Sequence, residues 1–208
     1  MAKPLLSLSA AALALALAAC SSTPSTNTPE GGSTTGTGSD GSTGAGETAS
    51  TSGGGTASAD EGTTEGKHAV DVKSATYIAG DGPKSIADAK GKVVILDFWG
   101  TYCKPCKDSF PKYQELVDKH KGDLVVIAVS TDDPDDKNAD DLKEFASKLK
   151  AKFVILWDKD KSIAKKYNPS TFPTSFVIDK EGKISKIHSG FNPGDEKAID
   201  ADVSALLK

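Results

Sequence analysis

Two cysteines placed three positions apart, Cys103 and Cys106, are the residues of this chain best suited to chemistry. They lie in the segment FWGTYCKPCKDSFP, after an apolar run and before a stretch with helical spacing. The one other cysteine, Cys20, is far away near the start of the sequence. A pair with this spacing can act as a redox dithiol, as part of a metal site or as a structural disulfide.

A metal site is the weakest of these three interpretations. A structural zinc ion needs four ligands, usually two such cysteine pairs or one pair with nearby histidines. Beyond residue 66 the sequence has only these two cysteines and three scattered histidines, His68, His120 and His188. A structural disulfide is the second possible interpretation, because exported proteins keep disulfides. Closing so small a loop, however, constrains the unfolded chain little. The sequence favours a dithiol that opens and closes.

The position of the pair supports the redox interpretation. Cys103 falls where the apolar run ends and the helical stretch begins, and Pro105 lies in the first turn, where a missing N–H costs nothing. A helix N-terminus stabilises a thiolate through its unpaired N–H groups and partial positive charge. Lys104 and Lys107 add positive charge. We expect Cys103 to attack, and Cys106, one turn further and less exposed, to resolve the mixed disulfide.

Alternating strands and helices surround this pair. Apolar runs rich in β-branched residues are typical of strands buried on both faces, and spacings of three and four are typical of helices. Strands are predicted in VDVKSATYIAG, KVVILDFW, DLVVIAVS, FVILW, TSFVID and KISKIHS. Helices are predicted from Cys103 to about Lys121 and in DDLKEFASKLK, KSIAKKY and DEKAIDADVSALLK. This order predicts an α/β protein whose mixed sheet is covered by helices on both faces.

The first twenty residues, MAKPLLSLSAAALALALAAC, are typical of a secretory signal. One positive charge, Lys3, precedes an apolar run from Leu5 to Ala19 that is too short for a comfortable membrane span. The run closes on Leu17-Ala18-Ala19-Cys20, which resembles the lipobox of bacterial lipoproteins, where the signal is cut before a cysteine that is then lipidated. We therefore expect an exported protein with a lipid anchor on Cys20; an ordinary signal with an incidental cysteine is the alternative.

Residues 21–66 differ in composition from the remainder of the chain. They are almost entirely Ser, Thr, Gly, Ala and Pro, with six acidic residues and no basic one. We predict a disordered tether with a span of roughly 35–40 Å. Residues 67–208 suit one domain with one core. That domain is nearly neutral and, like the whole chain, has no arginine, which argues against nucleic acid as a partner. We expect a monomer held at the membrane by its anchor.

The segments KGKVVILDFWGTYCKPCKDSFP and TFPTSFVIDKEGKI resemble the thioredoxin superfamily. Within it, they are most similar to the membrane-tethered extracytoplasmic thiol–disulfide oxidoreductases of the TlpA/ResA type. The resemblance covers roughly residues 70–208. It implies a thioredoxin-like fold, with a central mixed β-sheet flanked by helices. It also implies an enzyme whose redox-active group is the Cys103–Cys106 disulfide, with no metal and no other cofactor.

The resemblance implies roles for residues outside the pair. Pro173 matches the family's cis-proline, which faces the dithiol, and Phe172 would offer backbone groups to an extended substrate. Asp97 matches a buried acid that moves protons at the resolving cysteine, and its alternative is an aspartate exposed at a strand end. Trp99 matches a tryptophan packed below the dithiol, and core filling describes it equally well.

The segment also departs from the family's pattern. Tyr102 stands where tryptophan often precedes the first cysteine, and Ser109 stands where many members of this type carry an acid. Asp97 is the candidate to substitute for that acid. Lys104 replaces the glycine of thioredoxin between the cysteines, and its charge should make the couple more oxidising. We expect substrate to contact a surface made by Trp99, Tyr102, Lys104, Pro105, Phe172 and Pro173.

These observations predict a lipid-anchored oxidoreductase facing the periplasm or another extracytoplasmic space. We expect it to reduce disulfides in exported proteins, with apocytochrome c as the substrate that the resemblance suggests. An upstream membrane electron donor would reduce it again. Two alternative functions remain. One is a disulfide-forming oxidant, and the other is a non-catalytic copper chaperone, since soft thiolates bind Cu(I). Copper chaperones usually space their cysteines one residue wider and add a histidine. A peroxiredoxin is disfavoured, because the Pro-x-x-x-Thr-x-x-Cys arrangement is missing.

The remaining polar and aromatic residues are predicted to be structural. Tyr113 and Trp157 fall at core-like positions, and a hydrogen-bonded imidazole is the preferred interpretation of His188. The segment STDDPDD, residues 130–136, is predicted to be a solvated loop leading to a helix cap rather than a cation site.

Overall fold

The computed structural model describes residues 60–208. Eight strands follow one another along the chain: β1 (Glu61–Gly62), β2 (His68–Ala69), β3 (Thr76–Ala79), β4 (Val93–Trp99), β5 (Leu124–Ser130), β6 (Val154–Trp157), β7 (Thr174–Ile178) and β8 (Ile184–Ser189). Four helices lie between and after them: α1 (Lys104–Lys119), α2 (Ala139–Lys148), α3 (Ser162–Tyr167) and α4 (Glu196–Leu206). A short 3-10 turn at Ala87–Ala89 precedes β4.

Six of the strands form one mixed sheet in the order β3-β6-β5-β4-β7-β8. Strands β4, β5 and β6 are parallel, whereas β3, β7 and β8 pair antiparallel to their neighbours. The parallel strands are joined through α1 and α2, because a parallel pair requires a crossover connection. The predicted α/β class, with a central mixed sheet flanked by helices, is confirmed.

Strand β4 lies in the middle of the sheet, and all seven of its residues are buried. Ile95 and Trp99 point to the face covered by α1, α2 and α4, while Leu96 and Phe98 point to the opposite face, with α3. Because side chains alternate along a strand, Asp97 shares the first of these faces with Ile95 and Trp99. Helix α1 follows β4 directly in the chain, so the two cysteines at its start lie at the end of this central strand.

The folded domain begins earlier than the sequence predicts. Strand β1 lies inside the segment predicted to be the tether, and it pairs in parallel with β2. Gly66 N–H also donates to the carbonyl of Ile184, at 2.7 Å. Backbone hydrogen bonds therefore tie residues from about 61 onward to the domain, which composition alone could not indicate. The strand predicted in VDVKSATYIAG is β3, which lies at the edge of the sheet and starts only at Thr76.

The predicted signal, the lipidation site Cys20 and most of the predicted tether lie outside the described residues. In residues 60–208, none of the helices has the length and apolar character needed to cross a membrane.

Candidate active site

The two cysteines lie at the start of α1, immediately after the loop that leaves β4. Cys103 is the N-cap of the helix, with extended backbone angles, and its Sγ accepts a hydrogen bond from the Cys106 N–H at 3.1 Å. Pro105 occupies the second helical position, and Lys104 and Lys107 are exposed. The predicted helix start is therefore confirmed, with the first sulfur lying among the unpaired N–H groups of the helix end.

Cys103 and Cys106 form a disulfide, with their Cα atoms 5.3 Å apart. Cys103 retains 6% exposure and Cys106 none, so the second sulfur is the more deeply placed of the two, as the sequence predicts. The side chain of Ser109 donates to the carbonyl of Cys106 at 3.2 Å and is itself buried. A hydroxyl thus stands where many members of the type have an acid.

The segment before β7 reaches the same end of the sheet. Thr174 pairs with Phe98 across the β4–β7 ladder, which places Pro173 beside the end of β4. The Phe172–Pro173 peptide bond is cis. The ring of Phe172 meets that of Tyr102 edge to face, with centroids 6.1 Å apart. Since Tyr102 is 66% exposed, this aromatic pair presents apolar surface to solvent next to the disulfide.

A groove of about 870 Å³ opens on the other side of the Tyr102 ring. Its walls include Thr101, Phe145 and Lys161, so the groove runs from the loop before Cys103 along α2. Lys104 is exposed and Pro105 half-exposed, and both lie on the rim of the disulfide. A polypeptide in contact with Cys103 could therefore touch Tyr102, Lys104 and Pro105 together.

The structure corrects the prediction that Trp99 is part of the substrate surface. Its side chain is fully buried, stacked on Phe145 at 4.9 Å and in edge contact with Phe110 at 5.0 Å. A side chain with no exposed surface cannot touch a docked substrate, so Trp99 belongs to the core beneath the site. Trp99 Nε1 and Asp97 Oδ2 are the buried side-chain polar atoms in residues 60–208 that have no hydrogen-bond partner.

Asp97 is fully buried in the middle of the sheet, not exposed at a strand end. Burial raises the pKa of its carboxyl from 3.8 to about 8, and hydrogen bonds from Ser175 and Tyr113 offset part of that effect. Ser175 Oγ donates to Asp97 Oδ1 at 2.7 Å, and the Tyr113 hydroxyl lies 2.6 Å from Ser175 Oγ. With a pKa near 8, Asp97 can give or take a proton close to neutral pH.

Asp132 is a site residue that the sequence analysis missed. The structure buries it at 2% exposure directly after β5, although its segment was predicted to be a solvated loop. Its carboxylate accepts the N–H of Thr101 at 2.9 Å and the Thr101 hydroxyl at 2.7 Å. It also accepts from Ser130, and its carbonyl accepts from Trp157 Nε1. The one indication in the sequence was that Asp132 closely follows β5, the parallel strand next to β4.

Tyr113 and Ser175 were also missed as site residues. Tyr113 lies on the apolar face of α1. Its spacing in the sequence indicates that the ring is buried, but it does not indicate that the hydroxyl has a buried hydrogen-bond partner. Ser175 could have been found more easily, because it is a polar residue in the fully buried strand β7 and lies opposite Asp97 in the ladder. Two polar side chains at one register position of a buried sheet would have indicated a hydrogen-bonded pair.

Within the described part of the chain, no three His, Cys, Asp or Glu side chains are grouped so as to hold a metal ion. His188 pairs with Asp202 at 2.9 Å on the side of the sheet that carries α4.

Comparison with known proteins places these features in a family. The model of the AhpC/TSA family matches residues 66–187. The thioredoxin-like protein YneN of Bacillus subtilis is 37% identical over 129 residues, which are 62% of this chain and 74% of that protein. The thiol-disulfide oxidoreductase ResA of Bacillus thuringiensis is 38% identical over 126 residues, 59% of this chain and 70% of that protein.

Among solved structures, one from Chlorobium tepidum described as a candidate thiol:disulfide interchange protein DsbE superimposes with a TM-score of 0.61. It is 32% identical, and the match covers 70% of this chain and 99% of that one. Residues 66–187, which the family model matches, contain the cysteine pair, the cis-proline segment and the buried acid described above.

Proposed function

This chain belongs to the AhpC/TSA family and is a thiol–disulfide oxidoreductase of thioredoxin-like fold, and from this we propose that it reduces disulfides in exported proteins. The observation that carries the proposal is the position of Cys103 at the N-terminus of α1, where its sulfur accepts the Cys106 N–H. That N–H, the helix end and the neighbouring Lys104 favour a thiolate over a thiol at this position, and the thiolate is the species that attacks disulfides.

The reaction transfers two electrons from the protein to its substrate. The Cys103 thiolate attacks one sulfur of the substrate disulfide; a bond forms between them, and the other substrate sulfur leaves as a thiolate that takes a proton from water. Cys106 then gives its proton to Asp97 and attacks the Cys103 sulfur. The Cys103–Cys106 bond forms, and the second substrate sulfur leaves and is protonated in turn.

The substrate surface that we propose consists of Tyr102, the half-buried Phe172 and the rim formed by Lys104 and Pro105, with Pro173 buried directly behind Phe172 in the chain. The contact of the exposed Tyr102 with the half-buried Phe172 supports this assignment, because aromatic side chains supply large contact area at interfaces. Backbone groups at Phe172 would pair with an extended segment around the substrate disulfide. Trp99 supports this surface from below without touching the substrate.

We further propose that the protein works outside the cytoplasm as a lipoprotein. Signal-like residues 1–20, the lipobox-like end at Cys20 and the low-complexity residues 21–59 support this assignment. One acyl chain alone binds a membrane only marginally, so lasting attachment requires more than one. A membrane electron donor would restore the reduced pair after each turnover. Apocytochrome c, whose haem-attachment cysteines must be reduced, is the substrate that we propose to test first.

A trapping experiment tests the exchange mechanism. In the full chain, Cys106→Ala removes the resolving sulfur, so mixed disulfides between Cys103 and its substrates should accumulate and can be identified after alkylation. The matched control carries both Cys103→Ala and Cys106→Ala, and it should trap nothing. If Cys106→Ala accumulates no partner, or no more than the double variant, the exchange mechanism is wrong.

The reduction potential of the Cys103–Cys106 couple tests the reductive direction separately. A value near about −120 mV, typical of strong disulfide-forming oxidants, would contradict it.

A further inference from the structure

A line of three buried side chains connects three elements beneath the disulfide. Asp97 lies on β4, Ser175 on β7 and Tyr113 on α1, and each of them is fully buried. The Tyr113 hydroxyl is 2.6 Å from Ser175 Oγ, and Ser175 Oγ is 2.7 Å from Asp97 Oδ1. Tyr113 and Cys106 are seven residues apart on α1, so they share the buried face of that helix.

The direction of these hydrogen bonds depends on whether Asp97 is ionised. An ionised carboxylate only accepts, so Ser175 must then donate to Oδ1. Ser175 Oγ in turn has lone pairs left to accept the proton of the Tyr113 hydroxyl. Both hydroxyls therefore stabilise the charged form of Asp97, and a charge-assisted bond is about twice as strong as a neutral one.

The surroundings of Asp97 leave these hydroxyls as its main polar partners. From α1 the titratable groups on this face are Tyr113 and Cys106, and β7 contributes Ser175. The residue opposite Asp97 on β5 is Ala128, and α4 contributes the buried side chains Ile199 and Val203. In residues 60–208 no lysine or histidine forms an ion pair with Asp97. Oδ2 has no protein partner there and is the oxygen free to take a proton.

We propose that Tyr113 and Ser175 are positioning residues that stabilise the ionised form of Asp97, which is the form that accepts the proton of Cys106 during resolution. This inference rests on the proposed function, since it concerns the second step of the exchange. The proton moves from Cys106 Sγ to Asp97, the Cys106 thiolate attacks Cys103 Sγ, and the substrate sulfur leaves. Without the two hydroxyls the buried carboxyl holds its own proton more tightly and is available as a base only at higher pH.

Stopped-flow reaction of the reduced full chain with the small disulfide DTNB separates the two steps. Attack by Cys103 releases one coloured thiolate, and resolution by Cys106 releases a second. Tyr113→Phe and Ser175→Ala should each shift the pH profile of the second release upward by about one pH unit, which lowers its rate at pH 7 about tenfold. The first release should be unchanged.

Tyr167→Phe is the matched control. Tyr167 is also a buried tyrosine, but its hydroxyl donates to the carbonyl of Val70 on the opposite face of the sheet. This variant should leave both releases unchanged. In an Asp97→Asn background, adding Tyr113→Phe should have no further effect on the second release, since the group on which it acts is gone.

The outcomes separate the two proposals. If both variants give a second release with the wild-type pH profile, the positioning role of Tyr113 and Ser175 is wrong while the exchange mechanism stands. If the wild-type protein shows no first release at any pH from 6 to 9, Cys103 does not act as the nucleophile, and the proposed function itself fails.

Discussion

The carboxylate of Asp132 accepts both the backbone N–H and the hydroxyl of Thr101, the second residue before Cys103. Asp132 follows β5, and Thr101 follows the adjacent strand β4, so the contact joins two loops at one end of the sheet. Three hydrogen-bond donors, including the Ser130 hydroxyl, compensate the burial of this carboxylate. The loop that carries Tyr102 and leads to the nucleophile is thereby held in one conformation.

Removing this carboxylate should loosen the active-site loop. Asp132→Ala leaves the buried Ser130 hydroxyl and the half-buried Thr101 N–H and hydroxyl without their acceptor, so we expect the free energy of unfolding to fall by about 2–3 kcal/mol. We also expect slower attack by Cys103, because its position before the helix is less well held. Urea unfolding and the first release from DTNB measure the two effects. Asp135→Ala, at an exposed position of the same loop, is the control and should change neither.

The aromatic pair of Tyr102 and Phe172 should matter for protein substrates only. Tyr102→Ala and Phe172→Ala should each raise the KM for a protein disulfide about tenfold, equivalent to about 1.4 kcal/mol of binding. Reaction with DTNB should stay at the wild-type rate, because that molecule is too small to use this surface. Tyr77→Ala is the control, because Tyr77 is an exposed tyrosine (43%) that lies away from the disulfide on the edge strand β3. An equal rise in KM for Tyr77→Ala would contradict a specific docking role.

The buried acid should make stability depend on pH. The folded pKa of Asp97 is about 8 and its ordinary value is 3.8, so the folded state keeps a proton that the unfolded state releases. The free energy of unfolding therefore falls as pH rises from about 4 to about 8. Asp97→Asn cannot ionise and should remove this dependence.

We accordingly expect the stability of Asp97→Asn, relative to wild type, to increase by about 2–4 kcal/mol between pH 5 and pH 8. Urea unfolding of the oxidised proteins across this range measures the effect without interference from the thiols. Asp81→Asn, on an exposed loop, is the control and should follow the wild-type curve. Parallel curves for wild type and Asp97→Asn would show that Asp97 is ionised in the folded protein across this range.

The lysine between the two cysteines should tune the redox couple. Lys104→Ala removes a positive charge from the first turn of α1 and disfavours the thiolate of the reduced state, so the couple should become more reducing by about 10–30 mV. Equilibration with glutathione buffers measures this shift. Lys112→Ala removes an exposed charge further along the same helix, where it pairs with Glu115 at 2.9 Å, and it should leave the potential unchanged. A shift of the same size in both variants would indicate a general charge effect.

Much of this architecture could be predicted from the sequence, because it depends on local patterns. The apolar run of β4 and the helical spacing after Cys103 are each contained within about twenty residues, and their succession places the sulfur at a helix start. The alternation of strands and helices then predicts the mixed sheet. Even so, local composition misplaced the start of the domain, since β1 is held by backbone pairing with β2, which its polar residues do not indicate.

The partners of buried polar side chains were decided only by the tertiary structure. Asp97 meets Ser175, 78 positions away, and Thr101 meets Asp132, 31 positions away, because strand register and the order of strands bring them together. From the sequence, Trp99 could be a site residue or a core residue. The structure decides between them, because Trp99 packs against Phe110 and Phe145 and is fully buried. Short-range periodicity determines which segments become strands and helices, whereas the pairing of distant polar groups depends on how those segments align across the sheet.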